Sequence, residues 1–406
     1  MSDILTADFF VANRKRLRLL FQGTAPIVLT ASAQLQKGID EVFFRQDRNF
    51  FYVTGINDPD IILVIDKDHE YLILPEQSDY QRDFHGQSNV ELYARLSGIQ
   101  TVLDHKAGWK KLGSRLRKVK HVATLTVPAR FIDSYGFYTN PSRGVLVYKV
   151  KEYNNLVELL DLRQHFAVMR MIKRPIELEA INHAIKITST ILKKIKRKIA
   201  KYDYEYQVEA DLTHGFRWSG GGHAFDPIVA SGGNASIIHY SSNNDAIDKD
   251  GLLLLDVGAE FYSYAADISR TYSVNGRPTK RQEQVHGAVV EVQNYAYSLM
   301  KPGAVIKENE RLIEQFMGEK LRSLGLIKNI ESDEVRRYYP HATSHHLGMD
   351  VHDLGDYQRP QEPGMVLTVE PGIYIHDESI GVRIEDDIVI TPTGYKVLTS
   401  SLSIDL

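Results

Sequence analysis

The 406-residue sequence contains no cysteine. Disulfides are therefore excluded, and so is any metal site built on thiolates. This composition permits a reducing compartment. Long apolar runs are missing too: none approaches the roughly 20 residues that a helix needs to span a bilayer. The N-terminal MSDILTADFF lacks the basic-then-apolar order of a secretory signal. These absences make a cytoplasmic protein with no membrane partner the expectation. An excess of one charge is missing as well. The formal net charge is −3, which gives no signal for a polyanionic partner, so no nucleic acid is expected. The densest basic run, Lys193 to Lys198, lies on a helical pattern. Leu178, Ile181, Ile185, Leu192, Ile195 and Ile199 fall on its other side, so the run reads as a solvated face. Gly220, Gly221 and Gly222 are not followed by Lys-Ser/Thr, so they read as a loop rather than a phosphate cradle. No solenoid repeat or low-complexity tract is visible.

What is present is a soluble globular composition, long enough for two domains. Thr6 or Asp8 is placed to cap a first helix running to about Phe21. Strand-like runs follow at Ile27 to Thr30, Ile61 to Ile65, Tyr71 to Leu74 and Val122 to Val127, with helical patterns between some of them. The first part of the chain therefore reads as α/β. Asn140, Pro141 and Gly144 mark a turn-rich interruption, after which one helix is expected to lead to Met169. Pro175 suits the first turn of a new helix, so the domain junction is expected near residue 172. The second domain then reads helix, helix, strands, an acid-bearing hairpin, two helices and a second set of strands.

The acids carry the chemistry. Leu252 to Leu255 run straight into Asp256, and Val366 to Val369 run straight into Glu370. Carboxylates in apolar surroundings must be paired or bound to a cation. Asp256 and Asp267 read as opposite ends of one hairpin joined by a short turn, and Glu370 and Glu385 as the ends of a second. Parity sets Tyr374 on the face of Glu370 and Arg383 on the face of Glu385. At about 5 Å spacing and an effective dielectric near 20, four ionised carboxylates repel by roughly 3 kcal/mol per pair. Over six pairs this makes roughly 20 kcal/mol, comparable with or above a domain's net stability. Protonation relieves part of the repulsion, and two divalent cations neutralise it. Oxygen ligands with one imidazole suit Mn, Fe, Co or Zn. His341, His345, His346 and His352 crowd one segment, yet only one or two of them have room as ligands beside four carboxylates. His345 and His346, if extended, point to opposite faces, and His346 reads as packed or partly exposed. His352 and His239, taken alone, read as satisfied polar residues.

The motifs HATSHHLGMDVHD, VLTVEPGIY, GVRIEDDIVIT and LLLLDVGAEFYSYAADISRTY together resemble the pita-bread metallopeptidases, and within them the aminopeptidase P (Xaa-Pro aminopeptidase) family. The similarity runs from about Lys173 onward, and FFRQDRNFFYVTGINDPDIILVI resembles that family's N-terminal domain. The resemblance implies an α/β N-terminal domain (1–172) and an α+β pita-bread catalytic domain (173–406) with pseudo-twofold halves. It implies that Asp256, Asp267, His345, Glu370 and Glu385 hold two divalent metal ions, with Asp267 and Glu385 shared between them. Mn²⁺ is the first choice, and Co²⁺, Zn²⁺ or Fe²⁺ the alternatives. His239, His341 and His352 fall at substrate-contacting or supporting positions, and Arg383 falls beside the carboxylates. His346 departs from the family, where an aromatic residue is common. The implied activity is release of the N-terminal residue from peptides with proline at the second position, by attack of a metal-bridging hydroxide. Glu370 is the expected proton shuttle, with His341 or His352 stabilising the developing oxyanion or the departing amine. A homo-oligomer, dimer or tetramer, is expected. The alternatives are a prolidase acting only on Xaa-Pro dipeptides, a non-catalytic binding module, and a metal-free amidinohydrolase of the same fold.

Overall fold

The computed structural model describes residues 4–67 and 69–406. The first three residues of the expected N-terminal domain lie outside this range. The chain divides into two compact units, Met1–Met169 and Arg170–Leu406.

In the first unit, helix α1 (Ala7–Phe21) begins after Thr6, but the Thr6 hydroxyl caps nothing. Asp8 instead lies in the first turn, where its charge favours the helix dipole. The strands of its main sheet are β1 (Ile27–Thr30), β2 (Ile62–Asp66), β3 (His69–Ile73), β4 (Val102–Leu103), β5 (His121–Thr124) and β6 (Glu158–Asp161). They form one six-stranded sheet in the order β4-β3-β2-β1-β5-β6. β1, β2 and β3 pair antiparallel, and the other pairings are parallel. Val28, Val64, Ile73 and Val122 pack with Trp109, Leu112 and Leu146 on one face.

The single helix expected up to Met169 is instead two, α2 (Ser142–Tyr153) and α3 (Arg163–Met171), with β6 between them. Asn154 ends α2. Its side-chain amide donates to the carbonyls of Leu116 and Val119 at 2.9 and 3.0 Å, and its Oδ1 accepts from the Leu156 N–H at 3.1 Å. These local bonds replace helix continuation, and the chain drops onto the edge of β5.

The second unit opens with α4 (Pro175–Lys196) and α5 (Glu205–Trp218). Ile181, Ile185, Leu192 and Ile195 are buried, while Lys193, Lys194, Arg197 and Lys198 are exposed. Among the described residues no helix is long and apolar enough to cross a membrane.

Two hairpins follow. Strand β7 (Ile228–Ser231) pairs with β8 (Leu252–Val257). The connection after β8 carries a small inner hairpin, β9 (Ala259–Phe261) and β10 (Tyr264–Ala265), before β11 (Ile268–Ser273) returns along β8. The connection is therefore not a short turn. Gly258 is needed at its root, because a Cβ there would lie 1.8 Å from the Ala266 carbonyl oxygen.

The second hairpin is one continuous register in two sheets. β12 (Val366–Val369) pairs with β15 (Asp386–Thr391), and β13 (Gly372–Ile375) with β14 (Ile380–Arg383). The ladder breaks at Pro371, which has no N–H to give. The Ile384 carbonyl lies instead near Gln293 Nε2, at 3.4 Å. Helices α6 (Lys280–Leu299) and α7 (Ile306–Ser323) cover the rear. Val285, Val289, Val292, Ile313 and Met317 pack with Leu367, Val369, Ile388 and Ile390.

Candidate metal centre

The five expected ligands come from the two hairpins and the histidine segment between them. Asp256 lies near the end of β8, opposite Ser269. The expected pairing with Asp267 is wrong by two residues: Asp267 precedes β11 and is the diagonal neighbour of Asp256 on the same face. The inner hairpin between the two strands causes the shift. Glu370 and Glu385 sit in the ladder break of the second hairpin, level with each other when its register is continued. Freed from its own ladder, the Glu385 N–H donates to the Ser269 carbonyl at 3.1 Å. The break thus joins one hairpin to the other where the acids meet.

One ligand atom from each of Asp267, His345 and Glu385 lies within 4.8 Å of the others, and all three residues are buried. His345 Nε2 lies 3.3 Å from Asp267 Oδ2 and 3.4 Å from Glu370 Oε1. Its Nδ1 faces the His346 carbonyl at 3.1 Å. With the proton on Nδ1, Nε2 is left bare toward the acids, as a metal ligand requires. The His345 N–H is held by Thr368 Oγ1 at 3.1 Å, and its carbonyl by the Thr368 N–H at 3.0 Å.

The acids of the cluster outweigh the positive charge beside them. Burial, followed by the charges of neighbouring carboxylates, holds Asp267, Glu370 and Glu385 well above the usual carboxylate range. Asp256 Oδ1 and Glu385 Oε1 are buried with no hydrogen-bond partner. Orphaned carboxylate oxygens converging with a bare imidazole nitrogen fit a divalent metal.

Arg383 is the one guanidinium among them. Nη2 donates to Asp256 Oδ2 at 2.6 Å, Nε to Ser269 Oγ at 2.8 Å and Nη1 to Tyr374 Oη at 2.8 Å. Ser269 Oγ in turn donates to Glu385 Oε2 at 2.7 Å. Tyr374 Oη lies 2.7 Å from His341 Nε2, and His341 Nδ1 lies 2.8 Å from the Ala342 carbonyl. The network thus assigns a neutral His341 that donates through Nδ1 and accepts from Tyr374. Burial and the Arg383 charge push its imidazole down to about 3, so its 3.8 Å approach to Glu370 is not an ion pair at neutral pH.

Asp256, Asp267, His341, His345, Glu370, Arg383 and Glu385 line one cavity of about 640 Å³. His239 and His352 line it too, although each read in isolation as an ordinary polar residue. The His352 ring meets the His345 ring edge-on, with centroids 4.5 Å apart. Phe225, Ile228, Ile238 and Val351 give the cavity an apolar wall. His346 is not on it. Its ring is fully buried edge-on against Tyr357 at 5.2 Å, and neither ring nitrogen is hydrogen-bonded. Burial, then Lys173, pushes it down to about 4.

One acid was missed by sequence reasoning. Asp387 is fully buried, and its Oδ2 accepts the Asp267 N–H at 3.2 Å. It lies two residues after Glu385 and shares its parity, and that was the available signal.

The family model for metallopeptidase family M24 matches residues 179–392, and that for the aminopeptidase P N-terminal domain matches residues 10–123. The chain belongs to metallopeptidase family M24. Within that family it is of the aminopeptidase P kind. It is 31% identical to the Xaa-Pro aminopeptidase of Haemophilus influenzae, over 98% of this chain and 95% of that one. It is 30% identical to the Xaa-Pro aminopeptidase of Escherichia coli, over 99% and 96%. The solved structure of aminopeptidase P from E. coli superposes with a TM-score of 0.87 at 30% identity, covering 98% of this chain and 96% of that one.

Proposed function

We infer that the protein is a metal-dependent Xaa-Pro aminopeptidase that removes the N-terminal residue from peptides with proline second. The observation that carries the reading is the convergence of Asp267, His345 and Glu385 with orphaned oxygens on Asp256 and Glu385. Asp256, Asp267, His345, Glu370 and Glu385 would hold two divalent ions, Asp267 and Glu385 serving both, with Mn²⁺ the expected metal. When bound, such ions supply Lewis acidity and make water a nucleophile at neutral pH.

The chain's own residues do the rest. Glu370 reaches the cavity and is the group that carries a proton from the nucleophile toward the leaving amine. His352 and His239 line the cavity as hydrogen-bonding partners of the substrate, and His341, held neutral, joins them on exchanging its Tyr374 bond for one to the peptide. Arg383 spends its donors on Asp256, Ser269 and Tyr374, so it positions Asp256 and, through Tyr374, His341. The apolar wall excludes water around the proline ring. A cytoplasmic homo-oligomer completes the proposal.

The test is metal analysis of protein purified without added metal, beside hydrolysis of Xaa-Pro-Xaa, Xaa-Pro and Xaa-Ala-Xaa peptides. Cleavage of the first class with about two metal equivalents is expected. Cleavage of dipeptides alone would make the protein a prolidase, and no cleavage of any class in metal-loaded protein would sink the reading.

A further inference from the structure

The loop between β7 and β8 brings Ile238, His239 and Ser241 to the cavity wall, yet it has little backbone structure of its own. Its backbone bonds are few: a short 3₁₀ turn at Gly232–Ser236, the Tyr240 N–H to the Ile237 carbonyl, and two bonds that tie Asp245 and Ile247 to residues 203–205, so side-chain bonds must supply much of its shape. One buried carboxylate supplies four of them. Glu205, the first residue of α5, is fully buried. Its Oε1 accepts from the Ser231 N–H at 2.8 Å and from Asn234 Nδ2 at 3.1 Å. Its Oε2 accepts from the Tyr240 hydroxyl at 2.7 Å and from the Asp245 N–H at 3.0 Å. A carboxylate has about four acceptor sites, and all are taken by donors from one loop.

The Tyr240 bond matters most. Tyr240 lies between His239 and Ser241 and is itself buried. Holding its hydroxyl inward on Glu205 turns its two neighbours outward onto the cavity. The loop is braced from two other sides. Asn243, in the left-handed region at φ 46°, accepts from the Val229 N–H at 3.0 Å and donates to the Pro227 carbonyl and to Glu209 Oε2, both at 2.9 Å. Gly381 of β14 leaves room for the loop, since a Cβ there would lie 2.4 Å from the Ala235 carbonyl oxygen.

We propose that Glu205 is a positioning residue for substrate binding: it folds the 231–245 loop so that His239 is presented to the peptide in the cavity. The proposal rests on the reading of His239 as a substrate contact. Glu205 bonds to none of the five metal-binding candidates, so its loss should leave metal binding intact.

The experiment uses the metal-loaded enzyme and the variants Glu205→Gln, Tyr240→Phe and His239→Ala, with Glu205→Gln/His239→Ala. In Glu205→Gln one acceptor oxygen becomes an NH₂ that faces a donor. Amide hydrogen exchange across 231–245 should quicken, and kcat/KM for an Xaa-Pro-Xaa peptide should fall by at least about tenfold, with metal content unchanged. Tyr240→Phe removes one bond and should fall in the same direction, which keeps the test alive if Glu205→Gln folds poorly. The double variant should be no worse than the poorer single variant by more than about twofold. Unchanged exchange in the loop overturns the proposal. So does faster exchange with unaltered kcat/KM, and so do losses that multiply in the double variant. A kinetically silent His239→Ala overturns the reading of His239 itself, and the proposal with it. Failure of the brace alone is distinguished by an impaired His239→Ala beside an unimpaired Glu205→Gln.

Discussion

Arg270 Nη1 donates to the main-chain carbonyl of Glu385 at 2.6 Å, tying the strand after Asp267 to an acid of the other hairpin. The remaining donors of this guanidinium are also engaged. Nη1 reaches the Ser269 carbonyl at 2.8 Å, Nε the Ser403 carbonyl at 3.0 Å, and Nη2 Asp386 Oδ1 at 2.6 Å and the Leu402 carbonyl at 3.3 Å. Arg270→Met removes every one of these bonds and leaves the buried Asp386 without its cation. A loss of about 3 kcal/mol is expected, together with weaker metal binding because the two hairpins lose their tie. Denaturant unfolding of the chelated protein and a metal titration measure the two effects. Arg270→Met with unaltered metal affinity would mean that the hairpins stay aligned without this residue.

Asp267→Asn tests a buried junction of the cluster. A neutral amide is a poor ligand for cations that need compensating charge. Outer-shell changes at metal sites typically cost ten- to a hundredfold, so loss of a ligand should cost more than about a hundredfold in kcat and lower the metal content. Full occupancy with near-normal turnover would remove Asp267 from the ligand set.

Stripping the metal should destabilise the fold at neutral pH. Without a cation, Asp256 Oδ1 and Glu385 Oε1 stay buried and unpaired. A metal at about a hundred times its Kd adds about 2.7 kcal/mol, or roughly 5 °C or more in midpoint for a domain of this size. Thermal melts of metal-free protein with and without added Mn²⁺ measure the shift. Equal midpoints would mean that the acids are stably accommodated without any ion.

Glu310 on α7 provides a pH test outside the ligand set. Its Oε2 accepts the Thr343 N–H at 2.8 Å, and its Oε1 is buried without a partner. Burial, partly offset by that bond, pushes its carboxyl from 4.5 up to about 7. Between those values the folded state holds a proton that the unfolded state has released. Stability is therefore lost as pH rises across that window, and the penalty is complete above the folded value. Glu310→Gln has no proton to lose. It should be close to wild type near pH 5 and more stable by about 2 kcal/mol near pH 8. Guanidinium unfolding at the two pH values measures this, and a pH-independent difference would show that Glu310 is ionised throughout.

The site was legible where burial and charge collide in a short window. The apolar runs ending in Asp256 and Glu370 announced costly acids, and period-two parity correctly grouped Tyr374 and Arg383 with the second pair. Register was legible only where the strands are joined simply. The Pro371 break keeps one register through both sheets, so Glu370 and Glu385 stay level. The inner hairpin at Ala259–Phe261 and Tyr264–Ala265 moves Asp267 off its expected partner, because local spacing carries no record of an inserted turn. β6 was missed for a related reason. Its four residues alternate too weakly to stand out, and the bonds that end α2 at Asn154 reach across to Leu116 and Val119. Glu205 was invisible because its donors come from a loop up to forty residues away.

His345 and His346 set a proposed ligand beside a packing residue at adjacent positions. His345 Nε2 points at Asp267 and Glu370, whereas the nitrogens of His346 bond to nothing and its ring abuts Tyr357. His345→Ala should lose at least one metal equivalent and most turnover. His346→Phe should keep full metal content and appreciable turnover, since it discards two unsatisfied buried nitrogens and preserves an aromatic ring. His346→Ala should also keep its metal, but melt lower by about 2 kcal/mol of stability, because it opens a cavity in a closely packed site. His341→Ala should retain metal and turn over slowly, since its imidazole bonds to Tyr374 and the Ala342 carbonyl rather than to an acid of the cluster. Metal content, midpoint and kcat of the four variants decide the matter. If His346→Phe sheds metal while His345→Ala keeps it, the ligand in this segment has been placed one residue too early.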